Sequence, residues 1–347
     1  MNPLTTLLLT VLLTALVIVG AGTVLARSGD VIAARTRLGG VWVGSVFLAL
    51  ATSLPELTTD IAAVRLGAPD LAAGDLFGSS MANMLILAIL NLLPTGAGLF
   101  RKAALDHVLY ATVAMILTSV AAVAVLLRPT ASVLGVDLGS VLLLLIYLVG
   151  SRAVFRHGTV ARDATAIAEM SGTPGTAIEG NAAATPAPAS LRRAMVSFLG
   201  ASVVILIAAP QFARAAERLA IVTGIGTTFV GTWLVGFSTS LPELVTSLAA
   251  VRLGAFDLAV GNLFGSNAFN MTIFVVLDVV QGPGSYLGVI SPVHAISALV
   301  AVALMAVAVA ALIYRAEGRL KLLEPSSAII ITGYVLGLAA VLLGGVA

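Results

Sequence analysis

Cysteine is absent from this chain of 347 residues, and charged side chains make up only 10% of it. The lack of cysteine excludes disulfides, thiolate metal sites and sulfur redox chemistry. Histidine occurs three times, scattered at predicted loops and helix ends, and no nucleophile–histidine pair or cofactor motif is present, so we do not expect an enzyme. The net charge of +2 gives no reason to expect a nucleic acid partner.

The scarcity of charge also excludes a soluble protein. Soluble domains contain about 25% charged residues. This chain is 59% hydrophobic and has a mean hydropathy of +1.11. It could not cover its surface with polar groups, so we expect an integral membrane protein whose outer surface faces the lipid bilayer. Its 34 glycines suit close helix packing within a membrane.

Apolar runs of about 20 residues, the length that spans a bilayer, recur along the chain. The first run lacks the basic segment that begins a signal peptide, and we interpret it as a membrane span. The ten predicted spans are 4–26, 40–66, 70–93, 107–127, 133–154, 194–213, 225–252, 257–280, 292–313 and 326–346. The predicted fold class is therefore an all-α polytopic membrane protein.

One stretch, 156–190, differs from the rest in composition. It is rich in Ala, Thr, Gly and Pro and has too few apolar residues to fold by itself, so we predict a flexible linker. It is too short to be a folded regulatory domain. The linker divides the chain into two five-helix halves, 1–155 and 191–347.

The two halves share a repeated stretch. Residues 52–84 and 239–271 align without a gap at an offset of 187, with 24 of 33 positions identical. Both copies begin with the letters TSLPE, and each places one glutamate, Glu56 or Glu243, inside an apolar segment. An ionisable residue within a membrane span is a functional-site hypothesis by default.

The basic residues predict how the two copies are oriented. With the N-terminus outside, 14 of the 18 Lys and Arg residues lie on the cytoplasmic side, as membrane proteins prefer. Both termini are then outside and the linker is cytoplasmic. Because five helices is an odd number, the second half enters the membrane upside down relative to the first. Such inverted repeats are typical of secondary transporters, whose substrate site lies near the midplane.

Proline within TSLPE predicts a local break in helix hydrogen bonding. Pro55 leaves the carbonyl of Ala51 without its donor, and Pro242 does the same for Ser238. Glycines near each proline, including Gly44 and Gly236, loosen the backbone further. A freed carbonyl in a membrane needs a partner, which a bound cation can provide. The alternative is that each proline only kinks its helix and has no part in cation binding.

Oxygen ligands surround each break. Hydroxyl, carbonyl and carboxylate oxygens are the ligands preferred by hard cations such as Na⁺ and Ca²⁺. The hydroxyls next to the breaks are those of Thr52, Ser53, Thr239 and Ser240. These hydroxyls could alternatively bond only to their own helices.

The helix after each TSLPE carries a polar face. Ser79 and Asn83 are four residues apart, as are Ser266 and Asn270, so each pair shares a helix face. We expect these faces to point at the breaks, although bonding between helices alone would also explain them. Small-residue rows at Gly74/Gly78 and Gly261/Gly265 would let this helix approach its neighbour closely.

Four further aspartates belong to the repeated stretch. We expect Asp60 to be a solvated vestibule residue near the outer end of its helix, with direct cation binding as the alternative. Asp75 is expected to be a third carboxylate close to the site. Asp70 and Asp257 recur in both copies, and we interpret them as turn and interface residues.

TSLPE followed by GDLFGSS in one copy and GNLFGSN in the other resembles the alpha repeats of the cation/calcium exchanger superfamily, specifically its prokaryotic sodium/calcium exchanger-like members. The resemblance is close over both repeats, and the ten-span plan extends it over the whole chain. It implies transport of Na⁺ and Ca²⁺ without a cofactor, in the inner (plasma) membrane of a prokaryote. Nothing in the sequence requires more than a monomer.

The resemblance also implies a ligand set. Glu56 and Glu243 would be the central Ca²⁺ ligands, together with the backbone at Thr52 and Thr239. Asn83 and Asn270 would complete the centre. The Na⁺ sites would draw on the remaining hydroxyls and on two carbonyls, namely those of Ser53, Ser79, Ser240, Ser266, Ala49 and Gly236.

The predicted function is electrogenic exchange of Na⁺ for Ca²⁺ by alternating access. Proton/calcium exchange on the same fold is the nearest alternative, because two glutamates could carry protons. A cation channel is the alternative from another class. Two inverted halves meeting at a midplane site favour a carrier.

Overall fold

The computed structural model describes residues 3–36, 38–128, 132–133, 136–170, 190–223, 238–282, 284–314 and 324–344. Nearly all of these residues are helical. The helices of the first half are α1 (Pro3–Arg35), α2 (Gly39–Trp42), α3 (Ala49–Arg65), α4 (Pro69–Leu92), α5 (Leu99–Lys102), α6 (Asp106–Leu127) and α7 (Leu138–Met170). Those of the second half are α8 (Leu191–Thr223), α9 (Leu241–Arg252), α10 (Phe256–Gln281), α11 (Tyr286–Val289), α12 (His294–Tyr314) and α13 (Pro325–Gly344).

Three short elements complete the described structure. A π-helical stretch, Val43–Leu48, joins α2 to α3, and a 3₁₀ turn at Pro94–Gly96 precedes α5. Two residues of β1 (Ser132–Val133) pair antiparallel with β2 (Val136–Asp137) just before α7.

Eight helical segments among the described residues are long and apolar enough to cross a membrane. They correspond to the predicted spans apart from 225–252 and 326–346. The apolar stretch Pro325–Val341 of α13 is shorter, and span 225–252 is described only in part because 224–237 lies outside the described residues. The prediction of an all-α polytopic membrane protein is confirmed.

The repeat extends well beyond the stretch recognised in the sequence. Helix boundaries in the two halves recur at the same offset that relates the two copies of TSLPE. The matching boundaries are the ends of α3 and α9, the starts of α4 and α10, both ends of α5 and α11, the ends of α6 and α12, and the starts of α7 and α13. The two halves thus follow one plan from the helix that carries TSLPE to their last helix.

The predicted linker differs from the structure at its start. Helix α7 continues to Met170, so the backbone of 156–170 is helical. Residues 159–170 contain no glycine or proline and are rich in alanine, the best helix former. The rest of the linker, 171–189, lies outside the described residues.

Helices α4 and α10, the two that follow TSLPE, are the most buried of the candidate spans, whereas α1 and α7 are the most exposed. Helix α10 packs on α3, α4, α6, α7 and the π-helical stretch. Helix α1 packs on its counterpart α8 and on α9. The two polar helices therefore form the centre of the molecule, and the apolar ones cover it.

Glycine allows the closest of these approaches. A Cβ at Gly265 of α10 would lie 2.3 Å from the carbonyl oxygen of Ser45, and one at Gly261 would lie 3.0 Å from the Ser45 nitrogen. The small-residue row predicted for the second copy is thus pressed against the π-helical stretch. Gly44 has the same role from the other side, because its Cβ would lie 2.9 Å from the carbonyl oxygen of Leu258.

An aspartate of the second half is hydrogen-bonded to the loop before α6 of the first half. Asp257, at the start of α10, accepts a hydrogen bond from the backbone N–H of Ala104 at 2.8 Å. The same carboxylate oxygen lies 3.1 Å from Nε2 of His107, whose side chain is fully buried.

The equivalent contact from an aspartate of the first half reaches the second half. Asp70, at the start of α4, accepts from the backbone N–H of Ser291 at 2.6 Å and lies 3.0 Å from Nε2 of His294. Asp70 and Asp257 are related by the repeat offset, and so are His107 and His294. The two aspartates thus join the halves to one another, and the histidines prove to be repeat partners.

A second pair of contacts between the halves lies at the other ends of α4 and α10. Asn91 donates from Nδ2 to Oγ of Ser327 in the opposite half, at 3.0 Å. Its repeat partner Asp278 is buried and accepts from the backbone N–H groups of Asp137 and Tyr286. Both helices are therefore anchored to the opposite half at each end, which holds their middle portions in place.

Candidate functional site

The first TSLPE lies within a continuous helical segment. Pro55 is inside α3, which follows directly on the π-helical stretch. π-Helical segments widen a helix by one residue per turn and often occur at functional sites. Helix α3 therefore continues through Pro55 without the break that we predicted there, and the irregular backbone of this copy lies upstream, at Val43–Leu48.

The second TSLPE begins a helix instead. Ser240 occupies the N-cap position of α9 with φ −79° and ψ 3°, and Pro242 falls in the first turn, where proline is tolerated. Glu243 then lies in the first turn, where the helix dipole favours an anion. Gly236, one of the predicted carbonyl ligands, lies outside the described residues.

The two glutamates meet in the interior. Glu56 and Glu243 are both 0% exposed and close enough for their charges to interact. Oε1 of Glu243 accepts from Ser53 Oγ at 3.3 Å and from Ser266 Oγ at 3.4 Å. Each glutamate belongs to a different half, so the site is assembled across the repeat interface.

Thr52 and Thr239 make matching contacts across that interface. Thr52 Oγ1 lies 3.2 Å from Oδ1 of Asn262 and 3.4 Å from Oγ of Ser266. Its hydroxyl is also within reach of its own helix, at 3.1 Å from the Leu48 carbonyl and 3.3 Å from that of Ala49. The helix-bonding alternative that we considered for Thr52 therefore coexists with the cross-half contact.

On the opposite side, Thr239 donates from Oγ1 to Oδ1 of Asp75 at 2.8 Å and lies 3.4 Å from Ser79 Oγ. These partners, Asp75 and Ser79, occupy the repeat positions of Asn262 and Ser266. The expectation that Asp75 is a third carboxylate close to the site is confirmed.

The asparagines occupy the central helices. Asn83 donates from Nδ2 to Oδ1 of Asn267 at 2.8 Å, and Asn267 donates to the backbone carbonyl of Ser80 at 3.2 Å. Asn270 is fully buried, yet neither polar atom of its side chain has a hydrogen-bond partner among the described residues.

All the predicted ligand residues that the structure describes are buried. They are Ala49, Thr52, Ser53, Glu56, Ser79, Asn83, Thr239, Ser240, Glu243, Ser266 and Asn270. Hydrogen bonds link five of them into one network, namely Ala49, Thr52, Ser53, Glu243 and Ser266. Ser79 and Thr239 contact each other, and Asn83 bonds to Asn267. The side chains of Glu56, Ser240 and Asn270 make no hydrogen bond among the described residues.

One expectation was wrong. Asp60, predicted to be solvated, is 1% exposed. Helix α3 is covered near this residue because α4 and α10 pack against it. A warning was present in the sequence, since the matching residue, Ser247, is a small polar residue of the kind that packs inside a helix bundle.

The network has the chemistry of a site for hard cations. Among the described residues, no hydrogen-bond donor reaches either oxygen of Glu56, Oε2 of Glu243, Oγ of Ser240 or Oδ1 of Asn83 and Asn270. Burying such oxygens without a partner is costly, and an ionised carboxylate is the most costly of them. A cation bound among these oxygens would satisfy them together.

The family of the chain follows from comparison with known proteins. The sequence profile described as "Sodium/calcium exchanger protein" matches residues 6–155 and 193–343. The starts of these two matched ranges are related by the same offset as the structural repeat.

Individual relatives are membrane proteins of prokaryotes. Inner membrane protein YrbG of Escherichia coli is 32% identical over 249 residues, 70% of each chain. An uncharacterized membrane protein of Methanocaldococcus jannaschii is 27% identical over 231 residues, and the alignment covers 65% of its length, slightly less than two thirds. Sodium/calcium exchanger MaX1 of Methanosarcina acetivorans is 44% identical over 73 residues, 21% of this chain and 20% of that protein.

Among solved structures, the sodium-calcium exchanger NCX_Mj soaked with Na⁺ and Sr²⁺ superposes with a TM-score of 0.66 at 21% identity, covering 97% of this chain and 98% of that one. This likeness shows a shared fold. Because the profile matches most of both halves, the chain belongs to the sodium/calcium exchanger family.

Proposed function

We propose that the protein is a secondary active antiporter that exchanges Na⁺ for Ca²⁺ across the membrane by alternating access. One observation carries the proposal: two glutamates from opposite halves are fully buried side by side, and no donor among the described residues reaches three of their four oxygens. Family membership and the shared fold support the same function.

In this proposal Glu56 and Glu243 are the central Ca²⁺ ligands, with Thr52 and Thr239 contributing backbone carbonyls. Asn83 and Asn270 complete the centre. The Na⁺ ions use the hydroxyls and carbonyls flanking it, which belong to Ser53, Ser79, Ser240, Ser266, Ala49 and Gly236. One set of oxygens then serves both loads, so Na⁺ and Ca²⁺ compete and cannot occupy it together.

A load of three Na⁺ against one Ca²⁺ makes the exchange electrogenic. One Ca²⁺ or two Na⁺ cancel the charge of two ionised glutamates, whereas a third Na⁺ leaves the loaded site at +1. Moving that charge across the membrane is worth about 2.3 kcal/mol per 100 mV. A voltage across the membrane would therefore drive the exchange.

The proposed topology places both termini outside and the linker in the cytoplasm of a prokaryotic cell, with the halves inverted relative to one another. The protein acts as a monomer. Helices α1 and α8 slide over the remaining bundle, which exposes the site to each side in turn. Gly22 of α1 suits this motion, because α1 passes so close to Val245 and Thr246 of α9 that a Cβ there would lie 2.8 Å from Val245 Cγ1.

Proton/calcium exchange is the second candidate, because the two glutamates could release protons as Ca²⁺ binds. The hydroxyls around them favour Na⁺. Ser53 and Ser266 reach Glu243, and proton exchange has no need of so many oxygens.

Uptake of ⁴⁵Ca²⁺ into proteoliposomes loaded with Na⁺ tests the proposal, with Na⁺-free vesicles at matched pH as the control. We expect uptake that requires internal Na⁺ and increases with an inside-positive potential. Uptake driven by a pH gradient alone would favour the proton exchanger. A flux without saturable counterflow would indicate a channel and overturn the proposal.

A further inference from the structure

The two copies of the repeat differ in the layer of polar side chains beside the glutamates. In the second copy this layer is neutral. Asn262 donates from Nδ2 to Oγ of Ser247 at 3.0 Å, and the Ser247 hydroxyl lies 3.4 Å from the carbonyl oxygen of Ala259. Each of these side chains has a partner, as buried polar groups require.

In the first copy the corresponding residues are Asp75 and Asp60. Both are buried, at 2% and 1% exposure, and their carboxyl groups lie within hydrogen-bonding reach of one another. Ionised carboxylates are acceptors only, so they cannot bond to each other. Thr239 donates to Oδ1 of Asp75, but among the described residues no donor reaches Oδ2 of Asp75 or either oxygen of Asp60.

Among the described residues no basic side chain forms an ion pair with Asp60 or Asp75, and the ion pairs seen there join histidines to other aspartates. Glu56, itself fully buried and without a donor among the described residues, is close enough for its charge to act on both aspartates. Three buried carboxylates with orphaned oxygens therefore lie close enough for their charges to interact, and only one of them belongs to the proposed central pair.

We propose that Asp60 and Asp75, together with the Thr239 hydroxyl, form an accessory Ca²⁺ site next to the central one. A divalent ion fits because it would satisfy the orphaned oxygens of both aspartates together, as the proposed central Ca²⁺ does for the two glutamates. Among the described residues no cluster of three or more acidic or histidine side chains is placed to hold a metal. The accessory site offers two carboxylates and one hydroxyl, whereas the proposed central site adds two backbone carbonyls and two amides to its two carboxylates, so the accessory site is the weaker of the two.

The accessory site lies on only one side of the proposed central site. Asp60 follows Glu56 by one helical turn toward the end of α3, which the proposed topology places outside, whereas the neutral Asn262–Ser247 pair lies toward the cytoplasm. This assignment rests on the proposed function. It makes the accessory site a collecting point for Ca²⁺ arriving from outside, which raises the affinity for external Ca²⁺ and leaves the cytoplasmic side unchanged.

Equilibrium dialysis of the purified full-length protein against ⁴⁵Ca²⁺ in Na⁺-free detergent solution tests both sites separately. We expect wild type to bind two Ca²⁺ per chain at saturation. The double variant Asp60→Ser/Asp75→Asn, which copies the second repeat, should bind one, and so should Glu56→Gln/Glu243→Gln. Combining all four changes should abolish binding. Ser247→Ala, which alters the matching layer of the other copy, should still bind two.

The two proposals fail in different ways. Equal binding by wild type and Asp60→Ser/Asp75→Asn would overturn the accessory site and leave the central one intact. Unchanged binding in Glu56→Gln/Glu243→Gln would overturn the central site. The single variant Asp60→Asn keeps the shape of the side chain, so a loss of one Ca²⁺ there excludes misfolding as the cause, and retention of both would count against the accessory site.

Discussion

The two copies of TSLPE have the same five residues but different local structures. In the first copy the residues run through a helix that follows a π-helical stretch, and Glu56 lies in its middle. In the second copy Ser240 occupies the N-cap position of a new helix, and Glu243 lies in its first turn. The same five residues thus present one carboxylate from the middle of a helix and the other from a helix start, which shows that the surroundings decide whether the helix is interrupted at this proline.

The difference extends to hydrogen bonding. Glu243 accepts from two hydroxyls, one from each half, whereas no described donor reaches Glu56. The adjoining layer carries two aspartates in the first copy and a bonded Asn–Ser pair in the second. The first copy therefore carries more unsatisfied negative charge, although both copies contribute one glutamate to the site.

Neutralising either glutamate should have the largest effect. We expect Glu56→Gln and Glu243→Gln each to lower Na⁺-dependent ⁴⁵Ca²⁺ uptake by about 100-fold or more, because a hard divalent cation needs both carboxylates. Glu324→Gln, at the start of α13 and outside the site, is the matched control. Uptake at the wild-type rate by either site variant would remove that glutamate from the ligand set.

The same two glutamate variants should differ in thermal stability when no ions are bound. Glu56→Gln removes a buried charge that has no described donor, so we expect it to unfold at a higher temperature than Glu243→Gln in ion-free detergent solution. A thermal unfolding series with and without Ca²⁺ measures this. Equal melting temperatures would show that the difference in hydrogen bonding does not matter energetically.

Adding a side-chain carbon where α10 packs against the π-helical stretch should destabilise the protein. Gly265→Ala would bring a Cβ to 2.3 Å from a backbone oxygen, and overpacking of this kind costs about 1–3 kcal/mol or more. We expect a lower yield of monodisperse protein and a lower melting temperature. Gly200→Ala in α8, where no described atom lies within 4 Å, should not destabilise the protein.

The paired histidines should contribute unequally. His107 is fully buried and His294 is 15% exposed at the side chain, while each contacts its aspartate at about the same distance. Removing a buried partner costs about 1–3 kcal/mol, and a contact open to solvent contributes about 0–1 kcal/mol. His107→Ala should therefore lower the melting temperature more than His294→Ala, and the reverse order would contradict the burial difference.

The serines should show the smallest difference. Ser53 reaches Glu243 at 3.3 Å, whereas Ser240 has no described side-chain partner. In the absence of ions Ser53→Ala should cost about 1 kcal/mol and Ser240→Ala almost nothing. Both should raise the Na⁺ concentration needed for half-maximal exchange, because both hydroxyls are proposed Na⁺ ligands. A rise for Ser53→Ala alone would restrict the Na⁺ sites to one copy.

Much of the architecture could be predicted because membrane spans and repeats leave local signals. Hydropathy located the helices, and the alignment of the copies located both glutamates. The prediction failed where burial depends on neighbours from elsewhere in the chain. Asp60 was expected in solvent, and the extension of the repeat to His107 and His294 was missed because few residues are identical there, although the two histidines are spaced by the repeat offset.

The composition and the repeat are sufficient to predict that this chain is a membrane protein and that its two halves share one arrangement of helices. They also predict that each half contributes one glutamate to the site. Packing decides the rest, because contacts such as Ser53 with Glu243 and Asp70 with His294 join residues 190 and 224 positions apart. No local pattern encodes which hydroxyl reaches which carboxylate. That choice depends on how closely α10 approaches the π-helical stretch, and the closeness of that approach is set by glycine.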